Sequence, residues 1–122
     1  MSREKMQFAA IFGKVRRERG VLTAEAKAGH ILGKCTVMLG HDKNGWFVEA
    51  RQNMGWTDFD AVKKGLLPEC EKFGVTLVPP GPDGISQPVL RVRMPVAGTV
   101  KRTWERVSGA LAAMDEVLQR FG

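Results

Sequence analysis

The sequence predicts an α+β domain: a four-stranded antiparallel sheet of two β-hairpins, with helices packed on one face. Three observations predict it. Val100, Trp104, Val107, Leu111, Met114, Leu118 and Phe121 recur at alternating four- and three-residue steps, which places all seven on one stripe of a long C-terminal helix. Over residues 87–96, Leu90, Val92 and Met94 fall on one side and Val89, Arg91 and Arg93 on the other, the period of a half-buried strand. Two turn signals, GHDKNG at 40–45 and PPGPDG at 79–84, each separate two strand-like runs. The element order that results is α-α-β-β-α-β-β-α.

Taken in order, residues 3–19 read as an amphipathic helix. Phe8, Ile11, Phe12 and Val15 form its apolar stripe, Ser2 its N-cap and Gly20 its C-terminal stop. Lys14, Arg16, Arg17 and Arg19 then crowd the last turn, where the helix dipole favours cations. Thr23 reads as the cap of a short second helix over residues 24–32. The stretch GKVRRERGVLTAEAKAG resembles the opening of a helix-turn-helix domain, but a strand pattern begins at Cys35, where a recognition helix would be required.

The first hairpin pairs Cys35–Leu39 with Trp46–Gln52. Cys35, Val37 and Leu39 share a face; on the second strand Trp46, Val48 and Ala50 oppose Phe47, Glu49 and Arg51. After a link over 53–56, Thr57 opens a helix with Phe59, Val62 and Leu66 on its apolar side, broken at Gly65 and Pro68 and continued to about Gly74. Val75–Val78 and Gln87–Val96 form the second hairpin.

At 122 residues the chain matches a single domain, 1–122, divisible into a basic helical N-terminal segment (1–34) and a sheet-and-helix core (35–122). Apolar residues make up 43% and charged residues 26%, ordinary values for a chain with one core. The net charge is +6 and the isoelectric point about 9.8. Residues 1–34 hold eight bases and three acids, a net of +5, so the remainder is nearly neutral. Such an imbalance points to a polyanion or an acidic protein surface as partner. The two cysteines, Cys35 and Cys70, stand in no paired motif, which fits a reducing, cytoplasmic setting. The run Phe8–Phe12 is too short to span a membrane, and no membrane partner is expected.

Motifs for chemistry are sparse. His30 and His41 lack ligand neighbours at metal spacing, apart from Asp42. Residues 29–35 approach a P-loop but have one residue too few between the glycines, and Cys35 stands where Ser or Thr is needed. Asp58 and Asp60 are explained by a helix N-terminus. No catalytic residue, cofactor or metal is therefore expected.

The expected function is a small, non-enzymatic nucleic-acid-binding or accessory protein. Lys14, Arg16, Arg17 and Arg19 would grip phosphates from the basic helix, with Lys34 and the Lys101, Arg102 and Arg106 face of the last helix adding contacts. The outward sheet face would add Arg51, Arg91 and Arg93 around Phe47, a set suited to single strands. The alternative is a protein-interaction module, with the helical stripe serving a homodimer seam. VLRVRMPV followed by a long amphipathic helix is similar to small secretion-chaperone domains, a likeness confined to the last third of the chain; those chaperones are typically acidic.

Overall fold

The computed structural model describes residues 2–53, 64, 65, 68, 70–79 and 87–121. The N-terminal helix spans Arg3–Phe12. Ser2 caps it, accepting the Lys5 N–H at 3.2 Å. Gly13, at φ 67°, ends it by donating to the Ala9 carbonyl. The expected continuation to Arg19 does not form, nor does the second helix over 24–32. Instead β1 (Arg16–Glu18) and β2 (Val21–Gly29) make an antiparallel hairpin. Arg19 and Gly20 both have positive φ, 50° and 81°, and Glu18 lies opposite Val21. That is the two-residue turn whose twist suits a hairpin.

The physical reason lies in period rather than propensity. Leu22, Ala24, Ala26 and Ala28 alternate with Thr23, Glu25 and Lys27, and Leu22 and Ala24 are buried while Glu25 and Lys27 are exposed. Alanine favours helices in isolation, but an alternating face packed on a core overrides that preference. Residues 1–34 are therefore not a helical appendage. Phe8, Leu22, Ala24 and Leu32 join the same buried cluster as the rest of the sheet.

The remaining strands are β3 (Gly33–Asp42), β4 (Gly45–Asn53), β5 (Val75–Val78) and β6 (Val89–Pro95). They correspond to the four expected strands. With β1 and β2 the sheet has six, all antiparallel, in the order β1-β2-β3-β4-β6-β5. The register sets Val37 opposite Ala50 and Leu39 opposite Val48. It continues with Ala50 opposite Val92 and Val92 opposite Val75. These side chains make one buried face, as the alternation requires. The β3–β4 turn is centred on Lys43 and Asn44. Asp42 accepts the Asn44 N–H at 2.8 Å, and Gly45 takes the positive φ. The expected link and helix over 53–66 and the 79–84 turn fall mostly outside the described residues. Residues 70–73 are helical and stop at Gly74, φ 68°.

The C-terminal helix, Val100–Phe121, lies across the buried face. Val100, Val107, Leu111 and Met114 of its stripe are buried, joined by Ala110 and Val117; Trp104 and Leu118 pack from the margin. Its start is tied to the N-terminal helix. Gln7 accepts the Val100 N–H at 3.0 Å, Thr99 accepts the Arg102 N–H at 3.1 Å, and Phe12 meets Trp104 edge-on at 5.1 Å. Its far half is tied to the β2–β3 connection through Asp115. That carboxylate accepts the N–H groups of His30 (3.1 Å), Ile31 and Leu32 (both 2.8 Å), and the Gln119 amide at 2.8 Å. Gly29 is required there, since a Cβ would run into the carboxylate. The N-terminal and C-terminal helices thus serve one face of the sheet.

Candidate nucleic-acid interface

The opposite face is built by the odd-numbered positions of β2, β4 and β6 and the even-numbered ones of β1 and β3. One row across it reads Arg16, Thr23, Met38, Glu49, Arg93; the next reads Glu25, Thr36, Arg51, Arg91, Thr76. Arg51, Arg91 and Arg93 point outward together with Phe47, as the strand alternation predicts. Glu49 organises them. Its side chain is 1% exposed, and it accepts from Arg51 Nε and Arg93 Nε at 2.8 Å each, with Arg91 Nε at 3.7 Å. A buried carboxylate is stable only when charged partners replace its lost hydration; here three guanidinium groups do so. Those groups stay partly open, with side-chain exposures of 55% for Arg51, 34% for Arg91 and 41% for Arg93.

Phe47 does not present a bare ring. It is buried, packs against Gly40, where a Cβ would collide with the ring, and has the Arg93 guanidinium over it at 4.0 Å from the centroid. The ring thus lies against the Gly40 backbone and under the Arg93 guanidinium. That guanidinium is a planar cation held by Glu49 and Phe47 together.

Of the expected helix cluster, none lies on a helix. Lys14 sits in the link to β1. Arg16 is on the open sheet face, and its contact to Glu25, at 3.9 Å between exposed side chains, contributes little. Arg17 is on β1 facing the other way, and Arg19 is in the turn. Gly13 and the Arg19–Gly20 turn, which end the helix and reverse the chain, disperse what a longer helix would have aligned. Lys34 is exposed on β3 opposite Lys27. Lys101, Arg102 and Arg106 are exposed on the C-terminal helix, in the other layer from Arg51, Arg91 and Arg93. One continuous surface therefore joins Arg16, Lys27, Lys34, Arg51, Arg91 and Arg93, interrupted by Glu18, Glu25, Glu49 and Asp42.

No family model, curated protein or solved structure matches this chain. Its function must be argued from its own geometry. Among the described residues no group of three His, Cys, Asp or Glu side chains is placed to hold a metal ion, and no described helix is long and apolar enough to cross a membrane. Cys35 and Cys70 are both buried; burial pushes the Cys35 thiol up from its ordinary pKa, which makes it a weak nucleophile. His41 packs edge-on against Trp46 at 4.9 Å.

Sequence reasoning missed Glu49 and Asp115 as organising residues. The signal for Glu49 was present: an acid two residues before Arg51 on one strand face, with outward arginines on another strand. Asp115 carried none, because its partners are backbone N–H groups 83 to 85 residues away.

Proposed function

We propose that this chain is a non-enzymatic protein that binds single-stranded nucleic acid on the open face of its sheet. The observation that supports the reading is the Glu49-centred arginine cluster with its Arg93–Phe47 stack. A guanidinium group held over a phenyl ring is a surface on which a base can stack. Arg51 and Arg91 beside it can meet phosphates without choosing sequence. A sheet face that neither the N-terminal nor the C-terminal helix covers is a geometry on which a flexible strand can lie, whereas a duplex calls for an element that enters a groove. The buried Cys35 thiol fits a reducing, cytoplasmic setting.

The test is fluorescence anisotropy with labelled single-stranded and duplex DNA and RNA at two salt concentrations. Single strands should bind more tightly, with affinity falling steeply as salt rises. Arg93→Ala should weaken single-strand binding by about tenfold, the scale of one lost stacking contact. Arg17→Ala, on the other face of β1, removes the same charge and should change it far less. An equal loss from the two substitutions would mean that only net charge matters and would sink the assignment of the site.

A further inference from the structure

Among the described residues, the β1 edge of the sheet is only partly paired. β1 is three residues long and covers β2 only from Val21 to Thr23. β2 continues to Gly29. Because Val21 and Thr23 exchange backbone hydrogen bonds with β1, the alternation of an antiparallel ladder turns the N–H and C=O groups of Glu25 and Lys27 to the same side. Alongside them runs a groove of about 840 Å³. Phe12, Ala24 and Ala26 give it an apolar wall; Lys14, Arg16, Lys27 and Lys34 stand around it, with Glu25 as its one acid.

We infer that the free edge of β2 accepts an extended acidic peptide as an added strand. Unpaired strand groups are a template for a peptide backbone. An added strand would send alternate side chains to opposite sides. One set would meet Phe12, Ala24 and Ala26 and should be apolar. The other would meet Arg16, Lys27 and Lys34 and should be Asp or Glu. A second copy of this chain is a poor occupant, because pairing the same edges would set these cations against each other. Basic residues on an edge act as a guard against that pairing. The Glu49 cluster takes no part in this site, but Arg16, Lys27 and Lys34 lie on the same sheet face, so protection of the Glu25 and Lys27 amides is what distinguishes strand pairing from the nucleic-acid reading.

The probe is a fluorescein-labelled octapeptide of alternating valine and glutamate, with an alternating valine–lysine peptide as control. Binding to the intact protein is read by anisotropy and by amide hydrogen exchange. The acidic peptide should bind, protect the Glu25 and Lys27 amides, and outcompete the lysine peptide by at least tenfold. Glu25→Pro removes one edge N–H and at the same time removes a repelling charge. A fivefold or greater loss of affinity in that variant therefore reports strand pairing rather than electrostatics. Should Glu25→Pro fail to fold by circular dichroism, the paired substitution Lys27→Glu and Lys34→Glu must abolish binding of the acidic peptide. Equal binding of the two peptides would overturn the inference. So would protection confined to β4 and β6, or displacement of the peptide by a single-stranded oligonucleotide with unchanged exchange at Glu25 and Lys27.

Discussion

Asp115 shows how much one side chain can hold. It is 4% exposed, yet it carries a charge, because the β2–β3 connection offers it three N–H groups in succession. Burial alone would raise its pKa. The hydrogen bonds from Leu32, Gln119, Ile31 and His30 outweigh burial and hold the carboxyl below its ordinary value of 3.8. The sign follows. The ionised form is favoured by folding, so its contribution is complete above the ordinary carboxylate range. It is lost as pH falls through the lower value in the folded chain. Asp115→Asn keeps an acceptor for Ile31 and Leu32 but sets an amide N–H against that of His30. It should cost about 1–3 kcal/mol at pH 7. The cost should shrink as pH falls below the ordinary carboxylate range. Urea midpoints for both proteins at pH 7 and pH 3 check this; a gap that stays constant would show that the charge is not what matters.

At the scale of elements, the stack on Gly40 makes a separable claim. Gly40→Ala places a methyl group where the Phe47 ring lies, so the ring and the guanidinium above it must shift. Stability should fall by about 1–3 kcal/mol, and single-strand affinity should fall with it in the anisotropy assay at temperatures where the variant remains folded. Lost stability with unchanged affinity would remove the stack from the binding surface. The elements also show where the chain was readable. The C-terminal helix and strands β3 to β6 follow from apolar period alone, because each must bury one side. The N-terminal third reads as helix because RRERG combines helix-favouring cations with a glycine that suits either a helix end or a tight hairpin turn. The alanines of β2 favoured the wrong choice, while their two-residue period favoured the right one. The outward arginines were legible from alternation. That Arg93 would lie on Phe47 and converge with Arg51 and Arg91 on Glu49 depends on a cross-strand register that no local pattern encodes.

For the whole molecule, the charge distribution sets stability against binding. The net charge of +6 is placed on both layers, and among the described residues cations gather around a buried acid on the sheet face that carries Glu49. Glu49 holds Arg51 and Arg93 in place and also cancels part of the field they would present to a polyanion. Removing its charge should therefore separate the two effects. Glu49→Gln keeps the shape of the side chain and leaves the guanidinium groups with a neutral acceptor, at a cost of about 2–4 kcal/mol, since a buried pair has lost one partner. The face gains one positive charge, so an oligonucleotide should be drawn more strongly and with a steeper dependence on salt. The log–log slope should change by about 0.7 for each further phosphate neutralised on a single strand. Thermal melting and anisotropy over a salt series on the same preparation measure both quantities. A lower melting temperature with tighter, more salt-sensitive binding is expected. A lower melting temperature with weaker binding would mean that Glu49 acts mainly by fixing the guanidinium planes, and that stacking rather than net charge governs this surface.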